Sequence, residues 1–79
     1  MTKKIKILRF IDQHNKEIGW PPTVREIQEE FGMSSTSVSS YYIDKLVGAG
    51  VLEKKPGVSR GLRITDKGHQ ALLIYDYKH

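Results

Sequence analysis

The chain has 79 residues, 38% hydrophobic and 28% charged, which suits one small globular domain with a thin core and leaves no room for a second. It has no cysteine, which excludes disulfides and cysteine zinc or redox sites and agrees with a reducing cytosol; three scattered histidines make no metal site, so no cofactor or metal is expected. Thirteen Lys and Arg against nine Asp and Glu give a net charge of +4, which favours a polyanionic partner, and with no long apolar run and no secretory signal a cytoplasmic protein without membrane contact is expected.

Apolar side chains at Ile5, Leu8 and Ile11, with Ile7, Phe10 and Ile18 on the adjoining stripe, recur every three or four residues and predict an amphipathic helix over 3–17. Its opposite face holds Lys6, Arg9, Asp12, Gln13 and Lys16, and Gly19 before Trp20-Pro21-Pro22 is the expected stop. The cluster Lys3, Lys4, Lys6 reads as a solvated helix start rather than a phosphate grip. Trp20, beside two prolines, is either an exposed binding aromatic or a lid packed over the first helices, and the lid is expected.

The stretch from Trp20 to Val51 organises the rest. Thr23 can cap a helix, and Glu26, three residues on, can reach back to the Thr23 backbone N–H to close a capping box. Val24, Ile27 and Phe31 give this second helix an apolar face, with Arg25, Glu26, Glu29 and Glu30 pointing away. Glu29 and Glu30 would repel a phosphate, whereas Arg25, near the helix N-terminus, could meet one. Gly32 supplies the left-handed backbone of a tight turn, and the Ser34 and Ser35 hydroxyls offer a second cap. Helix three is predicted over 36–47, with Val38, Tyr42 or Ile43, Leu46 and Val47 inward and Ser35, Thr36, Ser37, Ser40, Tyr41, Asp44 and Lys45 more exposed. Hydroxyl side chains compete for the helix backbone, so the serines and threonine crowded between positions 34 and 40 are unusual. A surface that lies against base edges and phosphates accounts for them. Two capped helices joined by a short turn make a helix-turn-helix.

After Gly48 and Gly50 the hydrophobic period changes to two. Residues 51–55 and 61–65 read as strands around the turn 56–60, with Leu52, Leu62 and Ile64 inward and Lys54, Lys55, Arg60 and Arg63 decorating the hairpin. A hairpin after a helix-turn-helix is a wing, and these four cations would grip phosphates flanking the groove that holds helix three. Thr65 can cap a last helix over 66–77, with Asp66 at its positive end. Ala71, Leu72, Leu73, Ile74 and Tyr75 are more apolar than one face needs, so this helix either folds back to complete the core or pairs with its copy in a second chain. The fold class read from these elements is mainly α with a small β-hairpin: a winged helix-turn-helix of three helices, a wing and a C-terminal helix, spanning 1–79 as a single domain.

One set of residues carries a family resemblance. Gly19-x-Pro21-Pro22-Thr23-x-x-Glu26-Ile27, Phe31-Gly32, Leu46-x-x-x-Gly50-Val51-Leu52-Glu53 and Gly57-x-Ser59-Arg60-Gly61-Leu62-Arg63 occur in order, and the chain resembles the N-terminal DNA-binding domain of LexA-type repressors over about 4–64. The resemblance implies a winged helix-turn-helix that binds operator DNA as a dimer, with the recognition helix in the major groove and the wing on the backbone. Carried over by position, Ser35, Ser37, Val38, Ser40 and Tyr41 fall on the base-facing side of helix three, and Ser59 with Arg60 on the wing. Well-known members read bases with an Asn and acidic residues where this chain has Ser37, Ser40 and Tyr41, so the operator is not inherited. The serine-lysine self-cleaving domain of these repressors is not in the sequence, so cleavage-driven induction is not expected. Ile64-Thr65-Asp66-Lys67-Gly68 instead resembles the Leu-Thr-x-x-Gly lead into the last helix of other winged-helix regulators, which makes 65–79 a candidate dimerisation element.

The function expected is that of a sequence-specific double-stranded DNA-binding transcriptional regulator, a repressor, acting as a homodimer at least on DNA in a bacterial or phage setting on the nucleoid. Its DNA-binding residues are expected to be Arg25, Ser34, Ser35, Thr36, Ser37, Ser40, Tyr41, Lys45, Lys54, Lys55, Ser59, Arg60 and Arg63. If five cations of one subunit each neutralise a phosphate, log K should fall against log salt with a slope of roughly −4 to −5. The alternative is a winged-helix protein-interaction module, an antirepressor or complex subunit, whose serine-rich face meets a protein. An enzyme is not expected: His14, His69 and His79 lie apart on helix or tail, and the hydroxyls crowd one helix with no base beside them.

Overall fold

The computed structural model describes residues 3–78, in the order α1 (Lys3–Ile18), α2 (Val24–Glu30), α3 (Thr36–Gly48), β1 (Leu52–Lys54), β2 (Leu62–Ile64) and α4 (Asp66–Lys78). This is a winged helix-turn-helix with a C-terminal helix, as the residue patterns predict.

Helix α1 buries Ile7, Leu8 and Ile11 and ends where Gly19, at φ 102°, donates its N–H to the Asn15 carbonyl at 3.0 Å. Two of its residues depart from expectation. Ile18 is half exposed, because the chain turns away at Gly19 before anything covers it. Asp12, expected on the polar face, is 5% exposed. The reason is α4, which lies across that face and adds an ion pair from Arg9 to Asp76, while Lys16 Nζ approaches the Asp12 carboxylate at 3.0 Å.

Helix α2 opens on the predicted capping box: the Glu26 N–H donates to Thr23 Oγ1 at 3.1 Å, and the Thr23 N–H donates to Glu26 Oε1 at 2.8 Å. At its far end Gly32, at φ 61°, turns the chain, and Phe31 sets its ring edge-to-face on Phe10 of α1, with centroids 5.8 Å apart. Ser35 then caps α3 by accepting from the Val38 N–H. Inward on α3 are Ser39, Ile43 and Leu46, while Val47, expected on that stripe, is exposed.

The two strands pair antiparallel with Leu52 opposite Ile64, Glu53 opposite Arg63 and Lys54 opposite Leu62. Alternation sends Leu52, Leu62 and Ile64 inward as expected. Thr65 caps α4 by accepting from the Gly68 N–H at 3.1 Å and at the same time donates to the Gly50 carbonyl at 2.6 Å. This fastens the start of α4 to the end of the α3–β1 connection. Gly68 is needed there because a Cβ at that position would lie 2.2 Å from the Val51 carbonyl oxygen. Every element contributes to one core cluster, from Ile7, Leu8 and Ile11 through Ile27, Ile43 and Leu46 to Leu52, Leu62, Ile64 and Leu72.

Helix α4 does what the first of its two alternatives requires, since Leu72 is buried and Ala71 packs beside it. It also keeps an apolar stripe outward: Leu73 is 69%, Ile74 60% and Tyr77 92% exposed.

Candidate nucleic-acid interface

Helix α3 is held from below and capped from the front, which leaves its outer face free. Below, Ile43 and Leu46 sit in the core, and the wholly buried Ser39 donates its hydroxyl to the Val24 carbonyl at 3.0 Å. That bond anchors α3 to the first turn of α2 and satisfies a polar group that burial would otherwise penalise. Ser39 is absent from the expected site residues, although its spacing of four and seven from Ile43 and Leu46 puts it on the inward stripe.

Outward on or just before α3 are Ser34, Thr36, Ser37, Tyr41, Asp44 and Lys45, all exposed, with Ser35 and Ser40 half-buried at the margin. Tyr41 stands edge-on to Tyr42, with ring centroids 5.5 Å apart, and Lys45 Nζ lies 5.4 Å from the Tyr41 ring centre. A helix face of hydroxyls and one phenol offers donors and acceptors without bulk, as a helix inserted in a groove requires. Arg25 projects into solvent from the first turn of α2.

The wing follows α3 in the chain, and its first strand packs against that helix. Its turn is closed by the Lys55 N–H to Gly61 carbonyl bond at 3.0 Å and the Gly61 N–H to Val58 carbonyl bond at 3.2 Å. Lys54, Lys55 and Ser59 are exposed, and neither lysine is held in an ion pair among the described residues. Arg63 is exposed too, but pairs across the strands with Glu53 at 2.6 Å.

Arg60 differs from the other wing cations. Its Nη1 donates to Glu26 Oε1 at 2.8 Å and to the Pro21 carbonyl at 2.9 Å, its Nη2 donates to Glu26 Oε2 at 3.2 Å, and the guanidinium lies over the Trp20 ring at 5.9 Å. The Arg60 guanidinium, and after it the Thr23 N–H, hold the Glu26 carboxyl down from 4.5 to about 2, and the same pairing raises Arg60 further above its ordinary value. Trp20 is therefore no lid: its ring is half exposed, and it supports Arg60 at the surface. Glu26, expected to point away, is the acceptor that turns Arg60 inward across 34 positions of sequence.

Of the histidines, His14 contacts the Trp20 carbonyl through Nδ1 at 2.7 Å and His69 stands 3.9 Å from Asp12, so each sits in a structural contact away from the α3 face. His79 lies outside the described residues. No helix among the described residues is long and apolar enough to cross a membrane.

Comparison with known proteins fits this geometry. A family model described as "LexA DNA binding domain" matches residues 2–61. Among similar proteins, a LexA repressor of Oenococcus oeni is 51% identical over 73 residues, covering 92% of this chain and 34% of the repressor. LexA repressors of Pediococcus pentosaceus and Lactiplantibacillus plantarum are 43% and 38% identical over 95% and 99% of this chain, and 36% and 37% of their own lengths. The chain thus spans about a third of the length of the curated relatives it matches.

Proposed function

The chain belongs to the LexA DNA-binding domain family, and from that premise we propose that it is a sequence-specific, double-stranded DNA-binding transcriptional repressor and not an enzyme. Helix α3 enters the major groove, Ser37, Ser40 and Tyr41 read base edges with Ser34, Ser35 and Thr36 at the rim, and Arg25, Lys45, Lys54, Lys55 and Ser59 meet the backbone, with Arg63 held beside them by Glu53. The observation that carries this reading is an exposed hydroxyl face on a capped helix that packs against the first strand of a hairpin bearing two lysines without an ion pair among the described residues. Base-reading hydroxyls discriminate less than bidentate Arg or Asn contacts, so the wing and DNA shape supply part of the specificity. Repression follows from occluding a promoter, in the compartment that holds the genome, the bacterial cytoplasm.

One subunit covers few base pairs, so two bind half-sites about one helical turn apart. The outward stripe Leu73, Ile74 and Tyr77 of α4 is the surface through which they meet, since it is apolar, continuous along one helix face and uncovered in the single chain.

Selection of bound duplexes from a random pool, followed by titration across salt concentrations, tests the proposal. A palindromic consensus is expected, with a slope of log K on log salt of roughly −3 to −4 per subunit from the cations free to reach phosphate. Binding with no salt dependence, or no enriched sequence, would count against it in favour of a protein partner for the serine-rich face.

A further inference from the structure

Resting on that reading of α3 and the wing as one grip on DNA, we propose that Arg60 is a positioning residue, which with Glu26 and Ser39 ties the wing to the recognition helix through the first turn of α2 and does not itself hold a phosphate. The path is continuous. From the wing, Arg60 reaches the Glu26 carboxylate at 2.8 and 3.2 Å and the Pro21 carbonyl at 2.9 Å. Glu26 closes the capping box of α2 with Thr23, and the next carbonyl, that of Val24, accepts the buried Ser39 hydroxyl of α3 at 3.0 Å. Three hydrogen-bonded joints therefore separate the wing turn from the helix expected to read bases.

Beyond the bonds that close its own turn, the hydrogen bonds from the wing tip to the rest of the fold, among the described residues, are those of Arg60. The two strands are three residues each, and a lone hairpin of that size is marginal in water. The turn residues 56–59 are all exposed. Arg60 supplies a planar, forked donor set matched to a carboxylate, which fixes orientation as well as distance. A half-exposed ion pair adds little to global stability, so its effect belongs to the geometry of the wing rather than to the melting temperature. Three of the five guanidinium N–H groups are already engaged, and a carboxylate neutralises the charge that a phosphate would seek. Lys54 and Lys55, exposed and without an ion pair among the described residues, are the side chains of the same hairpin suited to phosphate.

Glu26→Gln separates the two roles because they predict opposite signs. Gln at this position keeps the capping box, so α2 stays capped while the negative charge disappears. If Arg60 were a phosphate grip restrained by Glu26, releasing it would tighten binding and steepen the salt slope. If Arg60 positions the wing, Glu26→Gln and Arg60→Ala each weaken binding to the duplex selected by the parent chain roughly fivefold to tenfold, and the double change is no worse than either alone. The salt slope then stays at the parent value. Tighter binding by Glu26→Gln, or a slope shallower by about 0.9 for Arg60→Ala, overturns the proposal. The heteronuclear NOE of the wing amides at 57–61, measured without DNA, is expected to fall in Arg60→Ala while far-UV circular dichroism is unchanged. Wing amides as rigid as the parent's overturn the tie whatever the DNA result, whereas a parent chain that binds neither the selected pool nor a scrambled duplex at low salt sinks the DNA-binding reading itself.

Discussion

Helices α3 and α4 are both thirteen residues long and both rest on the same core, yet they turn opposite chemistry to solvent. The first shows Thr36, Ser37, Tyr41, Asp44 and Lys45, and the second shows Leu73, Ile74 and Tyr77. Amphipathicity fixes which side of each helix is buried, and the outer side sets the chemistry that a partner would meet. Hydroxyls beside a basic hairpin gain from hydrogen bonds to a polyanion, whereas an apolar stripe gains only by leaving water, which another protein surface provides. The inner sides differ too. Each carries a small residue, Ser39 on α3 and Gly68 on α4; Ser39 makes a hydrogen bond, while Gly68 makes room for a backbone.

The largest expected effect tests that inner difference. In an ordinary helix Gly→Ala gains about 1 kcal/mol. At Gly68 the sign should reverse, because the new methyl meets the Val51 carbonyl oxygen at 2.2 Å and Ile64 Cγ2 at 2.6 Å. A loss of about 3 kcal/mol is expected for Gly68→Ala in denaturant or thermal melts. Ser39→Ala on α3 should cost less, about 1–2 kcal/mol, from the bond lost at the Val24 carbonyl. A Gly68→Ala chain as stable as the parent would mean that α4 does not sit directly against the Val51 carbonyl.

The outer difference is tested next. Tyr41→Ala should change which base is preferred at one position of the selected duplex, by about 1–3 kcal/mol, and leave self-association untouched. Ile74→Asp should do the reverse. Affinity for a duplex with two half-sites should fall about tenfold, roughly 1.4 kcal/mol, with affinity for a single half-site unchanged. If Ile74→Asp weakens both duplexes equally, the stripe on α4 is not where two subunits meet.

The smallest effect lies on the α2 and wing side alone. Glu26 titrates at about 2 in the folded chain against an ordinary value of 4.5, so its contribution is complete above pH 4.5 and is lost as the pH falls toward 2. An acid unfolding curve of Glu26→Gln should therefore be shallower than the parent's in that window. A Glu26 carboxyl that titrates near 4.5 by NMR would show that Arg60 and Glu26 are not coupled in solution.

Much of the framework was legible because its causes are local. The capping box of Thr23 and Glu26, the Ser35 cap, the turns at Gly19 and Gly32, the inward Leu52, Leu62 and Ile64, and the Thr65 cap all rest on contacts within a few residues or on a simple period. The exposed hydroxyl face of α3 follows from the same helical spacing. Misread residues have neighbours far away in the chain. Asp12 is buried because α4, more than fifty positions later, lies over it, and Trp20 is held at the surface by a cation forty positions on.

What the amino-acid order determined by itself is therefore the set of elements, their ends and the polar or apolar character of each face, since these depend on side-chain spacing and backbone preference. Only the tertiary structure decided how the faces are shared out. It seated α4 against α1 and left its second apolar stripe outside, and it turned Arg60 from the solvent to Glu26. Both outcomes depend on distances between segments remote in sequence, where the free energy of an ion pair or a packed methyl exists only once the core has brought the partners together.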